Sequence, residues 1–531
     1  MNLLKTLTIG AVAAAMTSMA SAATITLHVA GSTAFRAPVE CSIINYLGGT
    51  SCHAVYNGSS LLGGLGAIFK GTVGSNTVIV ECNWTGSMAG VIDLATGNQI
   101  TFPKATDTTI ATQLTTAATA CTVSPYGVTT PASAKLASGF ATELAIPDAI
   151  MSDSYYTSVE AAVATAGGIN ISAQPGTIAV TPLTGDGLAT LIDNTDFEEA
   201  GSSSPIVTGP QGYLGTCVFE WVLGNIGSGT TVPFTNITQQ TAAYLISNGS
   251  APFSLFGSTV ANASSTFAYL IGRNEDSGTR IVNFAEPQLG FIPTPLQYLL
   301  TFSGGTSIAN TSAIPAPAAN NGYYTGGTAT FVTKLAPWTQ GTPINTESTI
   351  TWPNNAGHGG YVSGGDVAKV ISTPVNQTAV AANSVRATQN TSNSYFIGYI
   401  SIGDAGGYVT PGATTPSSPA TNVTNGTTLT YNGVPFSVAN VNNGSYSLWC
   451  SEHMYYIGSG TGAIGSSAKA VADAIANGVA TTFVTYDGNG IDATTITAPA
   501  VFDGAGVKLS PQGTAGSFTR ALEGGIYSIN Y

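Results

Sequence analysis

The chain has 531 residues, 43% of them apolar and only 7% charged, with a formal net charge of −13. That apolar share fills large cores and excludes global disorder, while the acidic balance excludes nucleic acid as a partner, because phosphate backbones need a basic surface. A pocket for a small anion survives this test, since local donors and helix termini outweigh a distant net charge. Length allows several domains. Gly, Ser, Thr, Asn and Ala dominate the polar and small residues, a balance that fits an exported, strand- and loop-rich protein better than a cytosolic enzyme.

The first residues, MNLLKTLTIGAVAAAMTSMASAATIT, carry one lysine, an apolar run from Leu7 to Met16, and small residues at Ala20 and Ala22. This pattern predicts a secretory signal over 1–22, cut after Ala22. The run is too short to span a bilayer, and no later segment offers roughly 18 uninterrupted apolar residues. No cysteine follows the cut, so no lipid anchor is expected. The mature chain is expected to be soluble and exported, to the periplasm or beyond the cell, with no membrane anchor. Its six cysteines are Cys41, Cys52, Cys82, Cys121, Cys217 and Cys450. An even number in an exported chain predicts disulfides; Cys41 with Cys52 closes a short loop, and Cys82 with Cys121 is a plausible second pair. Cys450, Glu452 and His453 in LWCSEHMYY would point in different directions from a strand, so no metal is expected there.

In chain order, TITLHVAGS reads as a buried strand leading into a helix over FRAPVECSIINYLGG. TVIVECNW follows as a strand, and ELAIPDAIM leads into a helix at SDSYYTSVEAAVA. FAYLIGR runs into a helix continuing from SGTRIVNFAEP, YFIGYISI is a further strand, and SSAKAVADAIANG a further helix. β-Branched runs bounded by Gly, Ser or Asn carry the strand readings. Strands alternating with helices predict an α/β architecture with parallel or mixed sheets. Segments near 100–140, 300–345 and 405–445 are rich in Thr, Ser, Gly, Asn and Pro without either periodicity, and are expected to be long surface insertions.

Polar residues gather where strands meet helices. Ser32 and Thr33 fall at the first such junction, Ser87 at the second, Ser152 and Asp153 at the third, and Ser277, Gly278 and Thr279 at the fourth. Each on its own is an ordinary helix cap, worth about 1 kcal/mol. Strand ends of an open α/β sheet face a common crevice, however, and helix N-termini there present unpaired N–H groups to an anion. The fourth junction, RNEDSGT at 273–279, adds Arg273, whose planar fork matches a tetrahedral oxyanion, and Gly278, which lets backbone approach closely.

AGSTAFRAPV, WTGSMAGV, MSDSYY and RNEDSGT, in this order, resemble the phosphate-binding proteins that serve bacterial phosphate ABC transporters. STITWPNNAGHGGYVSGGDVAKVI followed by YFIGYISIGD is similar to a later region of that family, and YSLWCSEHMYYI sits where the family's chain returns to its first lobe. The resemblance spans about 29–485, interrupted by the expected insertions. It implies an α/β, two-lobed periplasmic-binding-protein type II fold with long surface insertions, with lobe I over 23–215 and 455–531 and lobe II over 216–454. It also implies a phosphate site made of Thr33 or Ala34, Phe35, Ser87, Asp153, Arg273, Ser277, Gly278 and Thr279. The first motif has one extra residue, so its hydroxyl comes from Ser32 or Thr33. Glu275 stands at a position that is often Asp in the family, where the acid accepts a hydrogen bond from a protonated phosphate oxygen. An acid so placed favours phosphate over sulfate, which has no proton to donate. The alternative for Glu275 is a structural pair with Arg273 or Arg280.

The leading expectation is therefore a secreted protein that captures inorganic phosphate, or a similar tetrahedral oxyanion, between two lobes and serves an ABC transporter permease. The alternative is a cell-surface or extracellular structural protein that reuses the fold with weak or no anion binding. No enzyme and no cofactor are expected: there is no GxSxG elbow, and Ser466 with Lys469 is an isolated SxxK without partner motifs.

Overall fold

The computed structural model describes residues 22–48, 52–57, 66–84, 99–116, 215–224, 232–273, 277–289, 296–302, 332–337, 364–372, 394–405, 426–452, 454–457 and 463–481, with short pieces at 86–87, 90, 94, 123–125, 136–141, 144–146, 197–199, 360–361, 518–520 and 527–529. The expected signal segment, the helix at SDSYYTSVEAAVA with Asp153, and Asn274, Glu275 and Asp276 lie outside these residues. Mixed sheets covered by helices make the chain an α/β protein, as its alternating pattern predicts.

The first sheet has eight strands. Its centre is β1 (Thr24–Gly31), paired in parallel with β2 (Asn76–Asn83) and with Leu144–Ile146. β1 leads into α1 (Arg36–Tyr46). A hairpin joins Gly66–Val73 to β2 through Gly74, whose φ of +63° supplies the left-handed step of the turn. Tyr455–Ile457 returns late in the chain to pair antiparallel with Leu144–Ile146 and Phe197–Glu199. One face of the sheet sends Leu27, Val29, Val80 and Cys82 against Val39 and Ile43 of α1 and Val471 and Ile475 of the helix Ser466–Thr481. The other sends Val55 and Ile68 against Ile110 and Leu114 of the helix Thr108–Thr116. Alternation along the strands thus divides the apolar residues between two helix layers. The Trp84 indole donates to Glu40 Oε1 at 2.7 Å, tying the end of β2 to α1.

The second half of the structure is built from β3 (Gly215–Gly224), α2 (Gln239–Asn248), β4 (Phe267–Ile271), α3 (Gly278–Ala285), α4 (Gly364–Ser372), β5 (Ser394–Ser401) and β6 (Trp449–Glu452). Its sheet runs Ser250–Pro252, β4, β5, β3, Thr427–Thr428, with β6 paired to β3 as well. β4 and β5 are parallel, while β3 lies antiparallel to β5 and to β6. Trp221, Leu270 and Ile397 pack with Ala242, Leu245 and Ile246 of α2 and Phe284 of α3. Val222, Ile271, Phe396 and Ile400 face Val367, Ala368 and Ile371 of α4 on the other side.

β3 crosses between the two cores. Cys217 and Phe219 belong to the core of the first sheet, and Val218, Trp221 and Leu223 to that of the second. Between them Glu220 is buried opposite Ile400, and its Oε2 has no hydrogen-bond partner among the described residues. Burial pushes its carboxyl pKa up to about 8.

Two expectations need correction. The stretch 405–445 is not all surface insertion: Leu429, Tyr431, Phe436 and Val441 are buried in the second core. Two-residue strands at Thr427–Thr428 and Thr430–Tyr431 and a short helix at Val438–Asn442 are too brief to leave a periodicity in the sequence. Cys41 and Cys52 are both buried, and the structure draws no disulfide between them. Cys121 lies outside the described residues.

Candidate functional site

At the first junction the chain leaves β1 at Gly31 and turns through Ser32–Phe35 before α1 begins at Arg36. Ser32 does not cap α1. Its Oγ instead accepts the backbone N–H groups of Ala34 and Phe35 at 3.0 and 3.2 Å, closing the turn upon itself. Phe35 is the residue at the N-cap, without a side-chain cap bond, and its ring is buried in the first core. This local closure leaves the Thr33 hydroxyl to point elsewhere.

At the second junction the chain continues past Trp84 to Gly86, whose N–H donates to the Gly31 carbonyl at 2.9 Å. That bond holds the second turn against the end of β1. Ser87 and Gly90 have helical backbone, and a Cβ on Gly90 would stand 2.8 Å from the Ala30 carbonyl oxygen, so glycine permits the close approach. Ser87 is buried, and its Oγ has no hydrogen-bond partner among the described residues. A buried hydroxyl with an unused hydrogen bond is costly unless something meets it.

At the fourth junction β4 passes through Gly272 to Arg273, and Ser277 caps α3 by accepting the Arg280 N–H at 3.3 Å. Gly278 and Thr279 form the first turn of α3 and, like Arg273, are buried. Among the described residues, the guanidinium of Arg273 reaches acceptors on three segments of the chain. Nε donates to the Tyr361 carbonyl at 3.1 Å, one terminal nitrogen to Thr279 Oγ1 at 3.5 Å, and the other to Thr33 Oγ1 at 3.2 Å. The last bond joins residues 240 positions apart, from opposite sheets.

A set of polar side chains fixes the arginine's backbone. The Arg273 N–H donates to the Tyr399 hydroxyl at 3.1 Å, and that hydroxyl donates to Gln297 Oε1 at 2.7 Å. Gln297 Nε2 and an Arg280 terminal nitrogen both donate to the Arg273 carbonyl, at 3.0 and 3.4 Å. Gly272 fits beneath this network because it lacks a side chain: a Cβ there would collide with Gln297 Oε1 and lie 2.5 Å from the Tyr399 hydroxyl. Arg280 is itself buried, with its guanidinium carbon 5.3 Å from the centre of the Phe284 ring.

Among the described residues, Arg273 hydrogen-bonds side chains that follow both sheets. The structure brings Thr33, Arg273 and Thr279 into direct contact, sets Ser277 and Gly278 at the adjoining helix start, and holds Ser87 beside the end of β1. Ser32 and Phe35 shape the first turn. Asp153 and Glu275 fall outside the described residues. Tyr361, Gln297 and Tyr399 escaped the sequence reading as site residues. Tyr361 and Tyr399 stand inside the quoted stretches STITWPNNAGHGGYVSGGDVAKVI and YFIGYISIGD, whereas nothing around Gln297 signals its position. Lys469 of the isolated SxxK is engaged elsewhere, with the Tyr456 hydroxyl and, at 3.2 Å, Asp473 Oδ2. Among the described residues no three metal-ligating side chains cluster, and no helix is long and apolar enough to cross a membrane.

The chain is similar to solved phosphate-transport receptors. One is described as a putative phosphate ABC transporter substrate-binding protein with bound phosphate from Clostridium perfringens, 12% identical, covering 85% of this chain and 92% of that one, with a TM-score of 0.31. Another is an ABC-type phosphate transport receptor from Vibrio cholerae, at 10% identity, 85% and 93% coverage, and a TM-score of 0.32. A third is PstS from Borrelia burgdorferi, at 10% identity, 85% and 92% coverage, and a TM-score of 0.28. No protein-family model and no curated protein matches the chain.

Proposed function

We propose that this chain is an exported solute-binding protein that captures inorganic phosphate, or a similar tetrahedral oxyanion, between lobe I (23–215 and 455–531) and lobe II (216–454), and delivers it to an ABC transporter permease. The observation that carries this reading is the Arg273 fork, which reaches Thr33 from the first sheet and Thr279 from the second. These two contacts, at 3.2 and 3.5 Å, go to neutral hydroxyls. An oxyanion is a better acceptor for a guanidinium, forming shorter and roughly twice as strong charge-assisted bonds. Entry of the anion would turn the fork from Thr33 and Thr279 onto its oxygens and free both hydroxyls to donate to the same guest. Ser87, with its unused hydroxyl, and the N–H groups at the start of α3 supply further donors. No bond to the guest is made or broken; donors from both sides favour the closed form only when it is present.

Asp153 and Glu275 are assigned to selectivity: each would accept the proton that phosphate still carries near neutral pH, and each would repel fully ionised sulfate. Equilibrium dialysis with labelled phosphate and sulfate tests the whole reading. Saturable phosphate binding that persists in excess sulfate is expected, and Arg273→Ala should weaken it by at least about 100-fold, because two bonds to a charged group are lost. A protein that binds neither anion, or an Arg273→Ala variant that binds as well as the parent, overturns the proposal.

A further inference from the structure

Cys217 on β3 stands directly opposite Cys450 on β6, in an antiparallel pair whose neighbouring partners are Thr216 with Ser451 and Val218 with Trp449. The bond from the Phe219 N–H to the Leu448 carbonyl, 2.9 Å long, continues the same register. Residues facing each other in such a ladder project to one side, with Cα atoms about 4.5–5.5 Å apart. A disulfide needs Cα atoms roughly 4.4–6.8 Å apart, which this register meets, and Cβ atoms about 3.5–4.5 Å apart, so the two strands draw slightly together as the bond forms. Both residues are buried and contribute to the same apolar core. The other described cysteines lack this arrangement. Cys82 faces Val29 and Ala67 across its ladders, Cys41 lies on α1, and Cys52 precedes its strand.

We propose that Cys217 and Cys450 are joined by a disulfide in the exported protein, formed with a disulfide-bearing oxidant of the exporting compartment. The thiolate of one cysteine attacks the oxidant's disulfide to give a mixed disulfide, and the thiolate of the other displaces the oxidant's sulfur. The chain gives up two protons and two electrons, and the oxidant's disulfide becomes two thiols. Oxidation takes place during folding, before the core closes over both sulfurs. The link staples the ribbon by which β3 crosses between the cores. It also has a topological effect: Ser250–Pro252, β4, β5 and Thr427–Thr428 all lie between the two cysteines in sequence. The disulfide therefore closes most of the second sheet, with α2, α3 and α4, into one covalent loop.

The test uses the full chain, secreted by a host whose export compartment forms disulfides, then denatured in iodoacetamide without reductant and digested. Mass spectrometry should find a peptide pair linked through Cys217 and Cys450 that separates on reduction. Dithiothreitol should lower the melting temperature of the parent by several degrees, and by clearly less in Cys217→Ala/Cys450→Ala. Alkylation of both cysteines in the unreduced protein, linkage of either to a different cysteine, or the same reductant effect in the double variant each overturns the inference. None of these readouts depends on anion binding.

Discussion

At the scale of single residues, two buried ionisable groups stand in different surroundings. The Arg273 guanidinium donates to the Tyr361 carbonyl and to the Thr279 and Thr33 hydroxyls. Glu220 stays neutral over much of the pH range because burial raises its carboxyl pKa from 4.5 to about 8. Below the unfolded value both states hold the proton. Between about 4.5 and 8 the unfolded chain ionises while the folded chain does not, so stability falls as pH rises and levels off once the folded group ionises too. The full cost is on the order of a few kcal/mol. Glu220→Gln has no charge to suppress, so urea unfolding at pH 5, 7 and 9 should show a variant whose advantage over the parent grows with pH. A constant difference across the three values would mean that Glu220 does not titrate in this way. The sequence marked Arg273 plainly, because charge is scarce and one heptapeptide concentrates it. It gave no sign of Gln297 or of the Tyr399 hydroxyl, since their role depends on where distant backbone segments come to lie, and no local pattern encodes that.

At the scale of elements, strand-to-helix junctions were legible where β-branched runs end in small polar residues, of which Ser277 caps its helix and Ser32 closes its turn. Ser277 and Thr238 illustrate two uses of the same device. Thr238 and Thr241 form a reciprocal capping box at the start of α2, with the Thr238 N–H donating to Thr241 Oγ1 at 2.8 Å and Thr241 N–H to Thr238 Oγ1 at 3.2 Å. Ser277 caps α3 beside Arg273. Thr238→Ala and Ser277→Ala should each cost about 1 kcal/mol in denaturant unfolding. Phosphate affinity should fall only in Ser277→Ala, since α2 contributes nothing to the proposed site; equal affinity in both variants would reduce Ser277 to a cap. Ser32 shows where the junction rule misleads: its side chain binds N–H groups within its own turn, and the helix waits until Arg36.

At the scale of the whole molecule, β3 lends side chains to both cores, as do α3 through Val282 and Phe284 and β6 through Cys450 and Trp449. Truncating Phe219 hollows the first core and should cost about 3–5 kcal/mol. Because Phe219 and Trp221 share one strand, loosening either core should be felt by both. Urea transitions followed by far-UV dichroism and by tryptophan fluorescence are therefore expected to coincide in the parent and in Phe219→Ala, with the midpoint lowered in the variant. Separate transitions would mean that the crossing strand does not couple the halves. The α/β class was readable from alternation alone, whereas the brief core elements within 426–442 and the position of β3 across two cores were not, because each is set by long-range pairing. The contact between Thr33 and Arg273 carries a kinetic corollary. A binding place assembled from points 240 residues apart exists only once those distant segments have come together. A guest recognised there arrives too late to guide the early search for structure, so it should leave the refolding rate untouched and act by slowing escape from the finished state.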